Sequence, residues 1–176
     1  MRQDGSVFTM LVLTESTLLP HDVERLAGLH DDAGEVRVHI CVPARSDGTG
    51  LEQADELVVD VARTDFSELK DDVEGSDRTP AELKARANRH LAASVEALIA
   101  AGLAADGELV PDSPVDRVVE IAEQTEADEV IVITAPHWLE EVLRRDWATK
   151  IYKRLKHDHR EIPVLHFIAG TDTIVR

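Results

Sequence analysis

Apolar residues fall along this chain in two rhythms: unbroken runs, and stripes that return every third or fourth position. Val7 to Thr14 (VFTMLVLT) is the first run, rich in β-forming residues, and predicts a strand buried on both faces of a parallel sheet. Leu19, Val23, Leu26 and Ala27 follow at helical spacing over Pro20 to Leu29, and Gly34 breaks the pattern before the next run. Val36 to Val42 (VRVHICV) alternates and then turns wholly apolar, a second strand closed by Pro43. Thr79, Pro80 and Glu82 form a capping box with proline at the first helical position. Leu83, Ala87, Leu91, Val95 and Leu98 then carry a long amphipathic helix to its terminator, Gly102. Ala105 to Val110 has weaker strand character. Ser113, Pro114 and Asp116 suggest a second capped start, with Val115, Val118, Val119 and Ala122 on one helical face. Val130 to Thr134 (VIVIT) predicts a buried strand, Leu139 to Leu155 a helix striped by Leu139, Val142, Leu143, Trp147, Ile151 and Leu155, and Val164 to Ile168 a last strand.

Strands interleaved in this way with helices imply an α/β domain: an open, mostly parallel five-stranded sheet with helices on both faces, a flavodoxin-like three-layer sandwich. Ligands of such sheets sit beyond the carboxyl ends of the strands, where the strand order reverses. That rule nominates Thr14, Glu15 and Ser16, Val42 to Ala44, and Thr134 to His137 as the cleft. One stretch does not belong to the pattern. Asp47 to Asp77 holds eleven acids against two bases, Arg63 and Lys70, and reads as an acidic insertion at about 47–78 within a single domain spanning 1–176.

Composition narrows the function. A hydrophobic share of 43% with 31% charged residues over 176 residues fits one globular domain. No apolar run is long enough to span a bilayer, and the first residues lack the form of a signal peptide, so the expected compartment is the cytoplasm. The formal charge of −16 argues against nucleic acid and anionic membranes as partners. The single cysteine, Cys41, lies in an apolar run and is expected to be buried rather than reactive.

From Glu108 to Ala169 there is no glycine, although a nucleotide-binding α/β sheet uses glycine to bring backbone amides against phosphates. The segment SPVDRVVEIAEQTEADEVIVITAPHW, followed by a helix and by IPVLHFI, resembles the universal stress protein family. The resemblance covers the first strand and roughly residues 79–169. It implies the adenine nucleotide α-hydrolase-like fold, dimers built by pairing of the last strands, and, in one subgroup, ATP binding. The ATP features do not carry over. Thr14 stands where that subgroup ends its first strand with aspartate. Its phosphate motif, two glycines three apart and then a Gly-Ser or Gly-Thr pair, would fall between Thr134 and Ala148, where no residue is glycine. Pro136, Trp138 and Trp147 would obstruct a backbone cradle, so ATP is disfavoured and no cofactor is expected.

The remaining candidates are single residues. His137 follows the fourth strand where a ligand contact or a base would sit, but a surface or capping histidine is the favoured reading. His157 and His159 flank Asp158 without a third ligand, so no metal site is assigned. His39 and His166, inside apolar strands, are expected to be hydrogen-bonded core or interface histidines. Trp138 and Trp147 are expected as core or dimer anchors. Arg144, Arg145, Lys150, Lys153, Arg154, Lys156 and Arg160 place seven bases in seventeen residues, read mainly as neutralising acidic surface. No hydrolase, metalloprotease or Walker motif occurs. The sequence therefore predicts a non-catalytic stress-response or regulatory binding module. It would be dimeric through its C-terminal strand, take a protein partner or small ligand, and have Thr14, Glu15, Ser16, Val42, Thr134 and His137 as ligand-binding candidates and no catalytic residues. Two alternatives are an ATP-binding universal stress protein with an altered phosphate loop and an enzyme of the adenine nucleotide α-hydrolase-like superfamily.

Overall fold

A computed structural model describes residues 7–30, 32, 34–44, 79–135, 147–157 and 161–175. The acidic stretch, His137, Trp138 and the part of the expected fourth helix before Trp147 lie outside the described residues.

The first strand, β1 (Phe8–Thr14), is where the fold begins physically. Met10, Leu11, Val12 and Leu13 are all 0% exposed, so consecutive side chains on opposite faces both meet apolar cover. β1 pairs in parallel with β2 (Val36–Pro43) on one side, Leu13 opposite Cys41. On the other side it pairs in parallel with β4 (Glu129–Thr134), Thr14 opposite Ile133. β3 (Ala104–Val110) lies outside β2, and β5 (Val164–Ile168) outside β4, both parallel. The five strands of the sequence reading are thus present and parallel. A sixth, β6 (Ile174–Val175), turns back antiparallel along β5 and was not expected from the polar tail. The order is β3-β2-β1-β4-β5-β6. The chain runs from β1 outward to β2 and β3, then crosses back past both to β4, which makes the β1–β4 junction the point of reversal.

Among the described residues, four helices form the two outer layers. α1 (Pro20–Gly28) and α2 (Pro80–Ala100) cover the face formed by Met10, Val12, Val38, Ile40, Val42, Ile131 and Phe167. α3 (Val115–Gln124) and α4 (Trp147–His157) cover the other, where Leu11, Leu13, Val130 and Val132 meet Val118, Ile121, Trp147, Ile151 and Leu155. Trp147 is a core residue here, 6% exposed.

The start of α2 follows the sequence signal closely. The Thr79 hydroxyl accepts from Glu82 N–H at 3.3 Å, Thr79 N–H donates to the Glu82 carboxylate at 2.7 Å, and Pro80 occupies the first turn. Gly102, at φ +91°, ends the helix as the left-handed residue such an end favours. The start of α3 departs from expectation. Pro114 stands at its N-cap with no side-chain cap, and the first helical bond runs from Val118 N–H to the Pro114 carbonyl at 2.8 Å. Pro114 has no side-chain acceptor, so the residue at the cap cannot hydrogen-bond the first amides of the helix as a serine would.

At one position the packing demands glycine for space. A Cβ on Gly107 would lie 2.4 Å from the Ile40 carbonyl oxygen and 2.7 Å from Leu91 Cδ1, so α2 seats directly on the β2–β3 backbone. Gly107→Ala is therefore expected to destabilise the domain by about 1–3 kcal/mol, read as a lower urea midpoint. An unchanged midpoint would mean that α2 does not sit this close to β3.

Candidate functional site

The carboxyl edge of the sheet is assembled from the end of β1, the loop after it, one side of α2 and the turn between β5 and β6. As β1 ends, its chain can no longer find partners in the ladder, and side chains take over. The Thr14 hydroxyl donates to the Ser16 carbonyl at 3.1 Å and accepts from Ser16 N–H at 3.4 Å, which folds Glu15 over the strand end. Thr14, Glu15 and Ser16 are 2%, 8% and 6% exposed.

The next residues are held by α2. Thr17 Oγ1 and His90 Nδ1 share a hydrogen bond of 2.8 Å, and Leu18 N–H donates to Ser94 Oγ at 3.0 Å. Arg86, His90 and Ser94, four residues apart, form a buried polar row on α2 beside the expected apolar stripe. Within that stripe Ala87 and Leu98 are fully buried, whereas Leu91 and Val95 are partly buried against the same core. The sequence reading missed this row. Its signal was the four-residue spacing of Arg86, His90 and Ser94, offset by one position from the leucines.

A second tie closes the edge from the other side. Asp22, 2% exposed, accepts from Leu19 N–H at 3.2 Å and from Gly170 N–H at 2.8 Å, so one carboxylate both caps α1 and anchors the β5–β6 turn. Arg25 extends the contact. Its Nη1 donates to the Thr171 carbonyl at 2.8 Å and its guanidinium lies 3.6 Å from the Phe167 ring centroid. Gly170 adopts φ +66°, the left-handed conformation this turn requires.

The structure places the sequence candidates as follows. Thr14, Glu15 and Ser16 come together at the strand-order reversal. Val42 is on the neighbouring strand but its side chain is wholly within the core with Val12 and Ile40. Thr134 ends β4 and is half-buried, its hydroxyl 2.8 Å from His166 Nε2, while its carbonyl accepts from Ala169 N–H at 2.9 Å. His166 is thus hydrogen-bonded within the sheet, as expected of it. His137 falls outside the described residues. A shallow depression of about 290 Å³ opens at the opposite, amino end of the strands, among Val7, Thr9, Glu35, Arg37, Ala104, Ala105 and Asp106, where the crevice rule places no ligand.

Beyond that depression, the face of β2–β3 next to α3 carries a charged chain of contacts. Arg37 pairs with Asp106 at 2.6 Å, His39 donates from Nδ1 to the same carboxylate, and Arg117 pairs with Glu108 at 2.9 Å and Glu120 at 3.1 Å. Burial raises the Asp106 carboxyl, but hydrogen bonds from Arg37 and His39, with their charges, outweigh it and hold the group below the usual carboxylate range. Cys41, on the same side of β2, is buried. Desolvation, helped by Glu108 and opposed by Arg117, pushes its thiol up to about 12, which keeps it protonated and unreactive at neutral pH. Among the described residues no three His, Cys, Asp or Glu side chains form a group able to hold a metal ion, and no helix is long and apolar enough to cross a membrane.

The chain matches no family model and no curated protein in sequence. Its structure is similar to solved ones, universal stress proteins among them. The universal stress protein from Archaeoglobus fulgidus in complex with dAMP shares 14% identity at a TM-score of 0.49, over 94% of this chain and 100% of that one. A second structure of the Archaeoglobus fulgidus universal stress protein shares 14% identity at a TM-score of 0.49, over 93% of this chain and 95% of that one. Hypothetical protein MJ0577 shares 18% identity at a TM-score of 0.48, over 94% and 98%. The α/β topology described above rests on the strand pairing itself.

If the carboxyl edge is held from α2, Ser94→Ala should leave the buried Leu18 N–H without an acceptor and cost about 1–3 kcal/mol in urea denaturation. An unchanged midpoint would show that Leu18 does not depend on Ser94.

Proposed function

We propose that the chain is a non-catalytic binding module of the universal-stress-protein type, acting in a stress response or in regulation within the cytoplasm and without a bound nucleotide. One observation carries this reading: at the strand-order reversal the buried Thr14 hydroxyl is bonded to the protein's own backbone, and the residues that follow are hydrogen-bonded to α2. Thr14 and Ser16 bond to one another, and Thr17 and Leu18 are held by His90 and Ser94. A ligand entering there would have to break those bonds and replace each of them. The lack of glycine from Glu108 to Ala169 points the same way, since a phosphate cradle needs close backbone approach.

Equilibrium dialysis with labelled ATP and magnesium is expected to show no retention at micromolar protein, with dAMP as a second probe. Micromolar binding of either would overturn the reading in favour of a nucleotide-binding protein with an altered loop.

Two copies are proposed to pair through the C-terminal strand. β6 already lies along β5, so the edge on offer is that of β6, where Ile174 is 51% exposed. Sedimentation velocity at micromolar concentration is expected to give a dimer, and a monomer there would remove the proposal.

A further inference from the structure

The basic run of the sequence becomes, in its described part, one outward face of α4. Trp147, Ile151 and Leu155 point into the core, and Lys150, Tyr152, Lys153, Arg154, Lys156 and His157 are exposed. Among the described residues one of these cations is ion-paired, Arg154 to Asp116 at 3.2 Å. Lys150, Lys153 and Lys156 have no ion pair among the described residues. The last-turn position of Lys156 and His157 gains something from the carbonyl end of the helix, but Lys150 and Lys153 are too far from it to share that benefit. Beside them Tyr152 leaves 48% of its surface in solvent, with Lys156 Nζ 5.8 Å from its ring centroid.

We infer that this face of α4 docks a short acidic peptide segment of a partner protein, its carboxylates meeting Lys150, Lys153 and Lys156 and its apolar atoms covering Tyr152. The inference rests on the binding-module reading and names the chemistry of the partner. Size and charge choose the occupant. α4 has eleven residues, about 16 Å of helix, which matches about five residues of extended peptide. A nucleic acid brings a charge with every nucleotide and would run past this patch onto a chain whose net charge is −16. A short acidic segment places its charges within reach of the lysines, and solvent screening over about 8–10 Å hides much of the remaining repulsion. An exposed aromatic among cations adds contact area of the kind that anchors peptide interfaces.

The test is fluorescence anisotropy with a labelled peptide of alternating glutamate and serine, about ten residues long, against the whole protein and its Lys150→Glu/Lys153→Glu/Lys156→Glu variant. All three positions are solvent-exposed, and circular dichroism of the variant checks that the fold is kept. The expected result is salt-sensitive binding that the triple variant weakens by about tenfold or more, with a triple Lys→Arg variant close to wild type. Equal binding by wild type and the glutamate variant would overturn the inference. So would no binding at millimolar peptide, or tighter binding of a ten-nucleotide oligo-uridylate than of the peptide. Failure here with ATP still unbound leaves the binding-module reading standing, whereas ATP retention with normal peptide binding removes that reading and spares the docking face.

Discussion

Backbone amides that leave a sheet ladder while still buried must find acceptors, and this requirement shapes the carboxyl edge of the domain. β1 is covered on both faces, so the residues following Thr14 are still inside the protein when strand pairing stops. Their donors are met by Thr14, Ser94 and Asp22. The same Asp22 carboxylate reaches Gly170, so the loops after β1 and β5 are fastened to one another.

Much of the architecture was legible in the sequence for a physical reason. Strands buried on both faces must be continuous apolar runs, and helices with one buried side must be striped, so β1, β2, β4 and β5 and the four helices announced themselves. The Thr79–Glu82 capping box was legible because both of its hydrogen bonds are local. What escaped detection depends on distant partners. Ser94 and His90 read as ordinary polar positions until the β1 loop is laid against them, and Asp22 looks like a first-turn acid until Gly170 arrives from the far end of the chain. β6 is only two residues long, too short for any periodicity. Ser113 misled because the helix begins one residue later than its spacing to Asp116 implies, with Pro114 at the cap.

Charge is distributed by two different rules on this molecule. On the face of β2–β3 beside α3, Arg37 and His39 both bond to Asp106 and Arg117 bonds to Glu108, which lets polar side chains occupy a partly buried sheet surface. α4 follows the opposite rule, with like charges side by side and, for three lysines, no counter-ion among the described residues. In the first arrangement each acid meets a base of the same chain. The second leaves three lysines without a counter-charge among the described residues.

The turn between β5 and β6 is gripped from α1, by Asp22 on the Gly170 amide and by Arg25 on the Thr171 carbonyl, with the Arg25 guanidinium against Phe167. Elements 148 residues apart in sequence are thereby one cooperative unit. β6 cannot fray without loosening α1, and a nascent chain cannot finish locking α1 in place until the turn after β5 has been made.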